Sequence, residues 1–141
     1  MMIDPLHDRR HILVAEDSPI NQQLAIGLLQ QHGYSVTVVN NGREALGAWR
    51  TGRFDAILMD IDMPELDGLS TVRCIRESEA DHGNRVPIVA VTSNDNADEC
   101  LSAGMDAYLA KPLKSDPLRH ALAEFFSWNK CEEDSKTARF S

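Results

Sequence analysis

Short apolar runs alternate with longer segments of mixed polarity along most of the chain. The first run, ILVA at residues 12–15, ends in Glu16 and Asp17. SPINQQLAIGLLQQHG follows with helix signals. Ser18 suits an N-cap, Pro19 suits the first helical position, and Gly33 supplies a stop. Ile20, Leu24 and Leu28 recur every four residues, which predicts one apolar helix face. YSVTVV predicts a second strand. Asn41 and Gly42 turn the chain into REALGAWR, a short helix with Leu46 and Trp49 facing inward. FDAILMD predicts a third strand, MPELDG a loop, and residues 69–79 a helix with Leu69, Val72 and Ile75 or Arg76 by turns. After the loop HGNR comes VPIVAVTS, a very apolar fourth strand. Residues 95–103 predict a short helix stopped by Gly104, and DAYLA a fifth strand. Lys111-Pro112 marks a sharp break. Residues 115–128 predict a final helix with Leu118, Leu122, Phe125 and Phe126 as its stripe.

Strand and helix thus alternate five times. Strands without clean alternation, separated by helices, imply a parallel sheet covered on both faces. The expected architecture is α/β, a doubly wound (βα)5 unit with a five-stranded parallel sheet. Residues 1–10 read as a flexible leader, 11–129 as the folded domain and 130–141 as a polar tail.

The 141 residues suffice for one domain with a real core. A formal net charge of −8 argues against nucleic acid or an anionic membrane as a direct partner, since both need a basic footprint. Cys74, Cys100 and Cys131 are scattered and odd in number, which makes neither a disulfide framework nor a zinc site. No apolar run approaches the roughly 18 residues of a membrane span, and the expected location is cytoplasmic.

Why an apolar run, Ala56 to Met59, should end in Asp60, with Asp62, Glu65 and Asp67 close behind, is a chemical question. In a parallel α/β sheet all strand C-termini share one edge, and ligands bind there. The first strand ends in Glu16 and Asp17, the third in Asp60, the fourth in Thr92 and Ser93, and the fifth in Lys111-Pro112. Three carboxylates, a hydroxyl and an ammonium converge. Clustered carboxylates repel one another unless a hard cation sits among them, and Mg²⁺ takes oxygen ligands. A carboxylate beside Mg²⁺ can attack phosphorus and form an acyl phosphate, while a lysine and a hydroxyl neutralise the phosphoryl oxygens. The set fits phosphoryl transfer to a carboxylate.

ILVAEDSPIN, ILMDIDMPELDG, IVAVTSN and AYLAKPL, in this order, resemble the receiver domain of two-component response regulators, from about Arg10 to about Trp128. The DxPxN run after the acid pair and the MPExDG run look most like receivers of hybrid sensor histidine kinases. The resemblance implies a flavodoxin-like fold. It implies that Asp60 accepts a phosphoryl group from a phosphohistidine on a histidine kinase or histidine phosphotransfer protein. It further implies that Asp17 and Asp60 ligate Mg²⁺ directly, Glu16 through water, and Asp62 by its backbone carbonyl. Thr92 and Lys111 would contact the phosphoryl group, Tyr108 would be an aromatic switch, and Lys111-Pro112 a cis peptide. A change in the surface of the fourth helix, fifth strand and fifth helix would carry the signal, with homodimerisation on activation as a possible extension.

Other readings compete. ILMDIDMP also fits a haloacid-dehalogenase-type phosphatase using Asp60 and Asp62, although the preceding acid pair and the third-strand position oppose it. A degenerate receiver that only binds partners is opposed by the complete acid set. Tyr108 could be a packed aromatic in a buried strand. Gly68 reads as supplying a backbone conformation, and Asp67 as an N-cap. Asp62, borrowing from the phosphatases, is read as shortening the acyl-phosphate lifetime, so that Asp62→Asn lengthens it.

Overall fold

The computed structural model describes residues 10–61, 68–80, 85–93 and 97–126. Residues 1–9 of the leader, the tail, Cys131 and the acids Asp62, Glu65 and Asp67, with the expectations attached to them, lie outside these residues.

Five strands form one parallel sheet: β1 His11–Ala15, β2 Ser35–Val39, β3 Ala56–Asp60, β4 Ile88–Thr92 and β5 Ala107–Ala110. Their order is β2-β1-β3-β4-β5. Helices α1 Pro19–Gln31, α2 Gly42–Thr51, α3 Gly68–Ala80, α4 Ala97–Ala103 and α5 (residues 115–126) connect and cover it. This is the expected doubly wound (βα)5 arrangement.

Side-chain alternation along the strands builds two separate cores. Leu13, Ala15, Ile57, Met59, Ile88 and Ala90 point to the face covered by α2, α3 and α4, where they meet Ala45, Val72, Ile75 and Cys100. Ile12, Val14, Ala56, Leu58, Val89 and Val91 point the other way, onto Ala25 and Leu29 of α1 and Leu118, Leu122 and Phe126 of α5. Coverage on both faces is why β3 and β4 are buried at every residue. The edge strands differ. β2 is half-buried throughout, and β5 alternates between half-buried and exposed.

The apolar face expected on α1 is rotated. Ile20 is 81% exposed and Leu24 36% exposed, while Ala25 and Leu29 pack on the sheet and Leu28 packs at the margin. An i, i+4 ladder drifts by about 40° per step on a helix of 3.6 residues per turn. It therefore does not fix which side faces inward, and the small Ala25 allows the close approach. Leu46 and Trp49 pack inward as expected. Gly33 and Gly104 end α1 and α4 at φ 90° and 112°, the left-handed conformation that suits glycine. Gly68 has no such conformation. A Cβ there would lie 3.0 Å from Ile61 and Met59, so its role is close approach, a correction to the expected one.

The N-terminal edge of the sheet is tied together by charge. Arg76 on α3 donates to the carbonyls of Gly104 and Val86, to Glu79 at 2.6 Å and to Asp106 at 2.7 Å. Glu79 accepts from the Val86 N–H, and Asp106 from the Ile88 N–H and from Arg85. Spacing gives Arg76 only as the alternative to Ile75 along the helix. Its partners lie up to 30 residues away, and no local pattern reveals them.

Candidate functional site

The order β2-β1-β3 means that connections leave β1 and β3 in opposite directions, opening a crevice at their C-terminal ends. Glu16 and Asp17 follow β1 directly. Asp60 is the last residue of β3. One carboxylate oxygen from each of these three residues lies within 4.8 Å of the others. Asp60 is 2% exposed and Glu16 is buried, whereas Asp17 is exposed.

Two backbone bonds extend the ladder across the rest of the site. The Ile61 N–H donates to the Val91 carbonyl, and the Lys111 N–H to the Thr92 carbonyl. Thr92, 1% exposed, thus stands one residue beyond the partner of Asp60, and Lys111 enters from β5. The Lys111 Nζ reaches Asp60 Oδ1 at 2.9 Å. The Lys111–Pro112 peptide is cis.

The acid pair is held by its own turn. Glu16 Oε2 accepts from the Ser18 N–H at 3.0 Å, and Ser18 caps α1 by accepting from Asn21. Gln22, which the sequence reading did not single out, donates to the Glu16 carbonyl at 2.6 Å and to Asn40 at 2.8 Å. It locks the β1 turn to the β2 turn. Its position one turn past the N-cap is the signal that could have found it.

Burial pushes the Glu16 carboxyl up from 4.5 to about 7. The Ser18 N–H opposes this; the hydrogen bond and repulsion from Asp60 add to it, and Lys111 draws it back. A carboxyl that resists ionising beside a second buried carboxyl marks a place where negative charge exceeds local compensation. Hard oxygen donors in such excess fit Mg²⁺. Tyr108 is 44% exposed on an edge strand, so it is not a packed core aromatic. Among the described residues, no helix is long and apolar enough to cross a membrane.

Comparison with known proteins follows the same lines. Residues 12–123 match the family model described as the response regulator receiver domain. The chain is 34% identical to Probable histidine kinase 1 of Oryza sativa subsp. indica over 86% of its own length and 16% of the relative's. It spans no more than 16% of the first curated relatives it matches, all of them named as histidine kinases or hybrid signal transduction proteins. Among solved structures, it is 44% identical to the receiver domain of sensor histidine kinase PA1611 from Pseudomonas aeruginosa, which has a magnesium ion coordinated in its active site cleft. The TM-score is 0.75, covering 82% of this chain and 96% of that one. The receiver domain of Saccharomyces cerevisiae Ssk1, crystallised with the histidine phosphotransfer protein Ypd1, matches with 30% identity and a TM-score of 0.77 over 82% of this chain and 88% of that one. A buried acid at the centre of the crevice, its lysine partner and a family match spanning all five strands lead to one assignment: this chain belongs to the response regulator receiver domain family.

Proposed function

We propose that the chain takes a phosphoryl group from a phosphohistidine onto Asp60, in a Mg²⁺-dependent reaction, and passes the signal on through its surface. One observation carries this reading: the buried Asp60 carboxylate, paired with Lys111 at 2.9 Å and flanked by the Glu16 and Asp17 carboxylates. An Asp60 oxygen attacks phosphorus, the O–P bond forms, and the P–N bond breaks toward the departing imidazole, which takes up a proton. The Lys111 ammonium and Thr92 hydroxyl face the phosphoryl oxygens and stabilise their charge. Asp17 and Asp60 would hold Mg²⁺ directly and Glu16 through water. When bound, the cation neutralises charge on the transferring group. The magnesium in the related receiver of PA1611 supports this. The chain is read as a signalling phosphoacceptor that catalyses only its own phosphorylation and dephosphorylation. The phosphatase alternative is set aside with the family assignment.

The donor is a histidine kinase or histidine phosphotransfer protein, a reading supported by the Ypd1–Ssk1 complex. Ile20 and Leu24 supply an exposed apolar patch on the helix that starts at the site, suited to such a protein's helix. On the far side, exposed Leu101 and Tyr108 mark the face that would respond as Thr92 moves toward the phosphoryl group.

Incubation with acetyl phosphate and Mg²⁺ should add one hydroxylamine-labile phosphoryl mass. EDTA or Asp60→Asn should abolish it, and equal labelling of Asp60→Asn would overturn the assignment.

A further inference from the structure

The sheet edge opposite Asp60 carries an open cavity of about 780 Å³, formed where α2 and α3 end and the chain turns into β3 and β4. Small-molecule sites span roughly 300–1,000 Å³. Trp49, Arg50, Arg53, Phe54, Asp55 and Arg85 line it. Its chemistry runs against that of the whole chain, whose net charge is −8.

Three of the cavity's groups are already committed. Glu79, at its wall, is held by Arg76 and the Val86 N–H, and Arg85 is paired with Asp106 at 2.7 Å. Asp55 accepts from the His11 N–H at 2.8 Å. Arg50 and Arg53 are exposed and make no ion pair among the described residues. Beside these guanidinium groups are the half-buried rings of Trp49 and Phe54, anchored against the core with part of their surface open. Guanidinium forks match phosphate oxygens, and an indole or phenyl surface accepts a planar ring.

We infer that this cavity binds an aromatic phosphate monoester of mononucleotide size, with its phosphate on Arg50 and Arg53 and its ring against Trp49 and Phe54. The site is independent of the proposed phosphorylation chemistry and lies at the other end of every strand.

The test is an NMR titration of the full chain with adenosine monophosphate, adenosine and inorganic phosphate. EDTA keeps phosphate from being drawn to the carboxylate edge through a metal. Saturable shifts of the backbone signals at residues 49–55 and 85–86 are expected with the nucleotide, at a Kd of about 1 mM or tighter. Adenosine and phosphate should each bind at least about tenfold more weakly, and so should the nucleotide to the Arg50→Ala/Arg53→Ala variant, or to Arg50→Gln or Arg53→Gln if the double variant does not fold. Equal binding of phosphate alone, shifts centred on Asp60 and Lys111, unchanged affinity in a folded variant, or no saturable shift would each overturn the inference.

Discussion

Glu16 keeps its proton to about pH 7 in the folded chain against 4.5 unfolded, because burial beside Asp60 disfavours its charge. Between those values the unfolded chain releases a proton that the folded chain retains. This contribution to stability is therefore whole below 4.5 and lost as pH rises through 7. A divalent cation among the carboxylates would displace the same proton. In EDTA, Tm should fall between about pH 5 and about pH 8, with Mg²⁺ restoring it and Glu16→Gln removing that part of the slope. A pH profile unchanged by Glu16→Gln would contradict this. The strand-end positions of Glu16, Asp60, Thr92 and Lys111 were legible in the sequence because each closes or directly follows an apolar run. Gln22 and Arg76 were not, because what they do depends on carbonyls and carboxylates delivered by other segments.

At the scale of elements, strands were easier to read than helix faces. A run such as Ala56 to Asp60, buried at every position, is legible because a central parallel strand has no outward side. Helix α1 defeats the same reading. It carries apolar residues on two sides, and only the packed structure shows that Ala25 and Leu29 serve the core. That leaves Ile20 and Leu24 exposed, where the proposed donor would dock. Ile20→Asp should leave labelling by acetyl phosphate unchanged and slow transfer from a phosphorylated histidine phosphotransfer protein by about tenfold, the equivalent of about 1.4 kcal/mol. Equal slowing with both donors would move Ile20 from docking to the chemistry itself. The alternating exposure of β5 was likewise hidden, since DAYLA does not announce an edge strand.

Across the whole molecule, Asp60 and Tyr108 are two strands apart, joined through β4, where Ala90 pairs with Tyr108 and Thr92 with Ala110. A pull on Thr92 thus reaches β5 by one step of the ladder, a small two-state shift biased by new contacts. Beryllofluoride with Mg²⁺ should shift signals around residues 92–111 as well as at Glu16, Asp17 and Asp60, and light scattering should show a rise in mass if that surface then pairs. Shifts confined to the acids would tell against a switch. The division of the interior by the sheet has a further consequence. Residues such as Ile12 and Ile75 lie in different cores, with only main chain between them. Ile12→Val and Ile75→Val, each costing about 0.5–1.5 kcal/mol, should therefore add to within about 0.5 kcal/mol. Ile75→Val combined with Ile57→Val, which share a core, should not. The two halves of this domain are free to accumulate change on separate histories, and α1 can be rewritten without renegotiating the packing beneath α2 and α3.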